Sequence, residues 1–297
     1  MYTTLISVDQ LKTLQASGQA FMVFDCSFNL TDAQAGVAMY TEAHIPGAIY
    51  AHLDLHLSAA KDPVTGKAAP GTSASGGRHP LPTREAFAAW LGSVGFTNGM
   101  QAVVYDRQSA NYCGRLWWML KWAGHDNVAV LDGGLQAWQA AGGAVASGPQ
   151  PQTSPSNYAL APELIGLATI ETVASRLGRS TGEGAQALID ARGAPRYRGE
   201  VEPLDPVAGH IPGALNRPFT ENMAPDGRFK PAAQLRAEFD ALLGGRDPAA
   251  VVHHCGSGVS AVPNIIAMEV AGLGRTALFA GSWSEWCSDP DRPVAQG

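Results

Sequence analysis

Cys255 is the residue whose surroundings are best suited to chemistry. It follows the apolar Val251-Val252-His253-His254 and heads Cys255-Gly256-Ser257-Gly258-Val259-Ser260-Ala261. This order reads as a strand, a tight loop and the start of a helix. Gly256 and Gly258 permit backbone angles that turn N–H groups inward. Those N–H groups, with the helix N-terminus, favour negative charge in the loop. A thiol at its head is expected to be largely thiolate near neutrality, and so a nucleophile. Pro263 suits the first helical turn, where its missing N–H costs little. Two chemistries use a cysteine in such a loop. Phosphoryl transfer needs C-x5-R, with the arginine clamping phosphate as a fork, but Ala261 holds that place. The other is sulfur transfer, in which the cysteine accepts a sulfur atom and holds it as a persulfide anion, without metal or cofactor. Cys26, Cys113 and Cys287 have no glycine cradle and are expected to pack.

The elements that would position this loop occur twice. His44-Ile45-Pro46-Gly47-Ala48 recurs as His210-Ile211-Pro212-Gly213-Ala214. Ala102-Val103-Val104 matches Ala250-Val251-Val252, Gly133 matches Gly281, and Trp138 matches Trp286. The first half carries an insertion in the Gly/Pro/Ser-rich stretch from Lys61 to Pro80. In this register Arg107 takes the place of Cys255, so the first half lacks the nucleophile. Ser7 and Thr83 can cap helices to Ala16 and Leu91. Phe21–Phe24, Ala102–Tyr105 and Val128–Leu131 read as strands, and Arg115–Trp122 as an apolar helix. The second half repeats the alternation with Ile170–Leu177, Ala187–Ile189, Ala232–Leu243, Val251–His254, Val259–Val270 and Leu278–Ala280. Short apolar strands alternating with helices predict α/β domains, each a mainly parallel sheet with helices on both faces. Gly148-Pro149-Gln150-Pro151-Gln152-Thr153-Ser154-Pro155-Ser156 suits a connector. The expected division is a first domain over 1–147, a linker over 148–160 and a catalytic domain over 161–297.

Taken together, the doubled pentapeptide, the loop Cys255–Ala261, the Gly281-Ser282-Trp283-Ser284-Glu285-Trp286 segment and Asp132-Gly133-Gly134-Leu135-Gln136-Ala137-Trp138 resemble the tandem-domain rhodanese family of thiosulfate and 3-mercaptopyruvate sulfurtransferases. The resemblance covers nearly the whole chain. It implies two tandem rhodanese-like domains with catalysis in the second. It also implies a cycle in which Cys255 becomes a persulfide and a thiol or cyanide removes the sulfur. Gly256, Gly258, Val259 and Ser260 would line the donor. The loop of the mercaptopyruvate enzymes reads C-G-S-G-V-[ST], as here, whereas animal thiosulfate enzymes carry basic residues after the cysteine. Mercaptopyruvate is therefore the favoured donor. The mercaptopyruvate type further implies a Ser257, His79, Asp54 relay that moves a proton as the pyruvate enolate leaves. Arg196 matches the arginine that holds the donor anion. A second arginine of the pattern, nine residues on, is replaced by Asp205, whose charge would repel a donor carboxylate unless another group intervenes. Arg192 is expected to pair with Asp190. His44 and His210 recur in both halves and read as turn-stabilising; His253, His254 and the tryptophans read as core. The alternatives are a thiosulfate:cyanide sulfurtransferase and a non-enzymatic persulfide carrier loaded by a partner protein.

Bulk properties narrow the class. The chain has 297 residues, 45% hydrophobic and 15% charged, with net charge -6. Its length suits two domains, and its negative field disfavours nucleic acid. No apolar run reaches membrane-span length. The N-terminus lacks the basic start and apolar centre of a signal peptide, and the few, scattered cysteines form no C-x-x-C pair. These features lead to the expectation of a cytoplasmic protein with no metal and no cofactor, no nucleic-acid or membrane partner, acting on small molecules as a monomer or weak dimer.

Overall fold

Ser7 opens the first helix as its polar side chain predicts. Its hydroxyl accepts the Gln10 N–H, and the Gln10 side chain accepts the Ser7 N–H, so two loose donors are satisfied at once. The structure, a computed structural model, describes residues 1–297. Two compact units share them: Met1–Ala60, Pro82–Leu164 and Pro225–Phe229 form the first; Lys61–Leu81, Ile165–Ala224 and Lys230–Gly297 form the second. The insertion that sequence comparison detects in the first half thus belongs to the compact body of the second.

The first unit runs β1 (Leu5–Ile6), α1 (Val8–Ala16), β2 (Phe21–Asp25), α2 (Ala35–Glu42), β3 (Ile49–Tyr50), α3 (Arg84–Ser93), β4 (Gln101–Tyr105), α4 (Cys113–Trp122), β5 (Val128–Leu131) and α5 (Gly134–Ala140). Its five strands pair in the order β1-β5-β4-β2-β3, all parallel. The second unit runs α6 (Ile170–Ser175), β6 (Ala187–Asp190), α7 (Ala194–Tyr197), β7 (Leu215–Asn216), α8 (Ala232–Leu243), β8 (Val251–His254), α9 (Val262–Val270), β9 (Ala277–Leu278) and α10 (Ser282–Trp286). Its four strands pair in the order β7-β6-β8-β9, again all parallel. A parallel bridge from Leu167 to Leu278 stands where β1 stands in the first unit. Both sheets are wholly rather than mainly parallel.

Parallel strands bury both faces, so β4, β5, β6 and β8 are buried throughout. Helix α4 is buried along its whole length, with Trp117 and Trp118 fully enclosed. In the second unit Trp283 and Trp286 pack with Val173, Leu188, Ile211 and Phe279. Each such large apolar side chain contributes about 1.5–3 kcal/mol relative to exposure. The repeated histidines close equivalent turns within their own units. His44 Nδ1 lies 2.8 Å from the Tyr40 carbonyl oxygen and stacks on that ring at 4.0 Å. His210 does the same with Tyr197, at 2.8 and 3.8 Å.

Candidate active site

The loop after β8 is fixed by its backbone. The Cys255 carbonyl accepts the Trp283 N–H at 3.0 Å, and the Gly256 carbonyl accepts the Ser284 N–H at 2.9 Å. The Cys255 N–H donates to Ser282 Oγ at 3.1 Å, and that hydroxyl donates to the Phe279 carbonyl at 2.9 Å. Gly258 has φ +73°, and a Cβ there would lie 2.1 Å from the Ala280 carbonyl oxygen, so only glycine fits. Helix α9 starts at Val262, three residues later than the sequence suggests, with Pro263 in its first turn. The residues from Cys255 to Val259 are buried and Ser260 is half-buried; Cys255 itself is 2% exposed.

Segment 61–81 brings His79 to this loop. His79 Nδ1 and Ser257 Oγ are 2.7 Å apart, and both residues are buried. The segment is held by α10, the helix that also holds the cysteine loop. The Arg78 N–H donates to Ser284 Oγ at 2.9 Å, and the Gly76 N–H to Glu285 Oε1 at 3.2 Å. Burial pushes the Glu285 carboxyl above its ordinary value, and the Gly76 N–H draws it partly back. Asp54 lies in the first unit, half-buried, with its N–H donating to His52 Nδ1 at 3.1 Å. Its part in a relay rests on the motif alone.

Three arginines stand near the loop. Arg192 is consumed within the fold. It grips Asp190 through Nε and Nη2, donates to the Gly209 carbonyl at 2.6 Å, and reaches Glu202 at 3.3 Å. Arg196, on α7, donates to Glu202 Oε1 at 2.6 Å and to Asp205 Oδ2 at 3.2 Å. Burial works against ionisation of Glu202, yet bonds from Arg196 and from the Leu204 and Asp205 N–H groups hold it below its usual range. Asp205, where the pattern calls for arginine, accepts a hydrogen bond from Arg78 Nη1 through its other oxygen. Burial nevertheless lifts its carboxyl above the ordinary value. The repulsive carboxylate expected at 205 is therefore bracketed by two guanidiniums. The sequence reading overlooked Arg78. The adjacent His79 was its one signal, since its partner lies 127 residues away.

The first unit shows what the same loop does without a cysteine. The residue at the head of its loop is Asp106, and the assignment of Arg107 to that place is corrected. Val103 pairs with Ala129, whereas Val252 pairs with Ala277, so the matched Ala-Val-Val triplets are one residue out of structural register. Two further pairs agree: the Leu135 N–H donates to the Asp106 carbonyl as the Trp283 N–H donates to that of Cys255, and the Cys26 N–H to Tyr105 as the Ala191 N–H to His254. The Asp106 carboxylate accepts from the N–H groups of Gln108, Ala110, Tyr112 and Cys113 at 2.8–3.1 Å. Burial pushes this carboxyl up, and the four N–H groups pull it back in part. Arg107 instead reaches Asp25 at 3.2 Å, Ser27, and the carbonyls of Met39 and Ala43. It neutralises the strand-end aspartate, the task Arg192 performs for Asp190.

The other candidates from the sequence lie away from solvent. Cys26 and Cys113 are 1% exposed, and burial raises both thiols well above their ordinary value. Burial pushes Cys287 up to about 11. His253 and His254 are fully buried. Burial lowers His253 to about 3, and lowers His254 despite nearby Asp190.

Comparison with known proteins places this geometry. The profile of the Rhodanese-like domain matches residues 7–141 and 173–289. A Pseudomonas aeruginosa protein named "Probable 3-mercaptopyruvate sulfurtransferase" is 44% identical over 294 residues, 99% of this chain and 98% of that protein. A Mycobacterium tuberculosis protein provisionally named thiosulfate sulfurtransferase SseB is 38% identical over 298 residues, 99% of this chain and 97% of its own. Among solved structures, the Escherichia coli 3-mercaptopyruvate sulfurtransferase SseA superposes with a TM-score of 0.76 at 27% identity, covering 95% of this chain and 100% of that one. No helix of the chain is long and apolar enough to cross a membrane.

Proposed function

The chain belongs to the rhodanese family and is a sulfurtransferase of the 3-mercaptopyruvate/thiosulfate type, and from that premise we propose that Cys255 carries the sulfur, taking it from a small anionic donor, 3-mercaptopyruvate by preference. The Cys255 thiolate attacks the donor sulfur. A sulfur–sulfur bond forms, the carbon–sulfur bond breaks, and its electron pair leaves with the enolate of pyruvate. The proton lost from the donor thiol ends on the methyl carbon of pyruvate. Ser257 and His79, 2.7 Å apart, are the groups suited to move it, with Asp54 assigned as their third partner. A thiol or cyanide then attacks the outer sulfur and restores the thiolate.

The observation that carries this reading is a cysteine at the head of the Gly256–Gly258 loop, beside a serine–histidine pair and two guanidiniums. A sulfur this enclosed admits small donors and acceptors only. Gly256, Gly258, Val259 and Ser260 are assigned to the donor's surroundings, and Arg196 to its anion. Thiosulfate is the second reading, favoured by the 38% identical mycobacterial relative. The test is mass spectrometry after mixing with each donor, with parallel steady-state assays. The expected result is one added sulfur atom on Cys255 and faster turnover of mercaptopyruvate. Cys255→Ser should abolish both loading and turnover. Turnover retained in that variant overturns the mechanism, and loading only through a protein partner makes the chain a carrier.

A further inference from the structure

The sulfurtransfer reading assigns Arg196 to the donor's anion and leaves the roles of Arg78 and Asp205 open. Gly256 has no side chain where two guanidiniums converge. A Cβ built there would lie 3.1 Å from Arg78 Nη2 and 3.5 and 3.6 Å from Arg196 Nη1 and Nη2. Asp205 joins the same two arginines, one oxygen to Arg78 Nη1 and the other to Arg196 Nη2. Arg78 therefore spends one nitrogen on Asp205 and turns the other towards the cysteine loop. Its backbone is fixed separately, by the bond from its N–H to Ser284 Oγ. Arg78 and Arg196 are about a quarter and a fifth exposed, while Asp205 and Glu202 are nearly enclosed.

Charge decides what such a site accepts. The cations are Arg78, Arg192 and Arg196; the anions joined to them are Asp190, Glu202 and Asp205. The cluster is formally neutral. The Nε–Nη2 fork of Arg196 is spent on Glu202, so a monoanionic carboxylate can take one oxygen to Arg78 Nη2 and the other to Arg196 Nη1, the two nitrogens that face Gly256. With no net positive charge in the cluster, a dianion meets twice the uncompensated repulsion of a monoanion and costs far more to desolvate. We propose that Arg78 is a donor-binding residue, and that Asp205 is a positioning residue that sets Arg78 beside Gly256 and restricts the site to monoanionic carboxylate donors. This rests on the sulfurtransferase reading and specifies how its donor is selected.

The test separates donor binding from transfer. In a Cys255→Ser background no sulfur can move, so calorimetry with pyruvate and with thiosulfate reads the site alone. Arg78→Gln should weaken pyruvate binding at least about tenfold, the loss expected for charge-assisted hydrogen bonds. Arg78→Lys, which keeps the charge without the fork, should recover part of it. Asp205→Asn keeps the shape and removes one negative charge, so the preference for thiosulfate over pyruvate should rise about tenfold. A merely structural Asp205 would weaken both ligands alike. In the active protein, Arg78→Gln should raise KM for mercaptopyruvate more than it lowers kcat. Near-uniform circular dichroism and melting temperature across the set exclude misfolding. Unchanged pyruvate binding in Arg78→Gln, an unchanged ligand ratio in Asp205→Asn, or no binding of either ligand to the Cys255→Ser protein overturns the proposal. Failure of the unsubstituted protein to acquire sulfur would instead overturn the sulfurtransferase reading, and the calorimetry would still decide on Arg78.

Discussion

Ser282 holds a conformation that a residue with a side chain seldom adopts, at φ 55°. Its counterpart Gly134 has φ 60°. The left-handed region costs a non-glycine residue about 1–2 kcal/mol. The Ser282 hydroxyl offsets this by accepting the Cys255 N–H in a fully buried place. Ser282→Gly relieves the backbone and orphans the N–H, which costs about 1–3 kcal/mol, so its melting temperature should lie near that of the parent. Ser282→Ala keeps the strain and orphans the same N–H, and should be the less stable of the two. Both should lose about tenfold in kcat/KM, because the peptide of Cys255, the proposed nucleophile, is loosened. Full activity in both variants would refute a positioning role for this hydroxyl. Ser282 stands in the Gly281–Trp286 segment singled out in the sequence, but nothing there marks its hydroxyl. The glycine loop is legible as a local motif, and His79 and Arg196 come from the family resemblance, whereas no motif marks the contacts that Ser282 and Arg78 make across 27 and 127 residues.

At the scale of elements, both units build the same strand, tight loop and helix, and differ in the residue at the head of the loop. Four N–H groups close on Asp106, so Asp106→Ala should leave them without an acceptor and cost about 3 kcal/mol. Urea unfolding should show the loss, while sulfur loading of Cys255 in native buffer stays at the parent level. A loss below about 0.5 kcal/mol, the scale of an ordinary surface change, would mean that the loop does not need its anion. The longer elements were readable from capping and apolar runs: Ser7 and Thr83 cap the helices expected of them, and α8 spans Ala232–Leu243 as read. Of the four two-residue strands, β1, β3 and β7 are too short for any period to register, and β9 is caught only through the apolar run that begins at Leu278. Helices α5 and α10 open at or beside residues in the left-handed region, Gly133, Gly134 and Ser282, which hides them from ordinary capping rules. The Arg107 misplacement has a similar origin. Apolar triplets align equally well one residue apart, and only ladder pairing shows which register the fold uses.

For the whole molecule, the cost of enclosing so many ionisable groups appears as acid sensitivity. Burial lowers five of the eight histidines: His52, His56 to about 4, His125, His253 to about 3, and His254. A histidine with a depressed folded pKa binds fewer protons folded than unfolded, so its stabilising effect is present above 6.5, its ordinary value, and is lost as pH falls towards the folded value. The carboxyls raised by burial, Asp106, Asp132, Asp205 and Glu285, have the opposite sign: the folded state takes up their protons first, which offsets the histidines as pH falls through their raised values. The loss that begins below 6.5 is the histidines' own contribution. Three of them, His52, His56 and His125, lie in the first unit and two in the second, so both units should weaken together. Stability measured in urea should fall steadily from pH 7 to 5. His253 alone, fully buried, should account for up to about 1.4 kcal/mol per pH unit. His253→Phe keeps the bulk and removes the titration, so its curve should run flatter than the parent's by that single proton. Parallel curves for the two proteins would show that this ring takes up its proton equally in the folded and unfolded chain, and would refute the assignment of a neutral core histidine at 253.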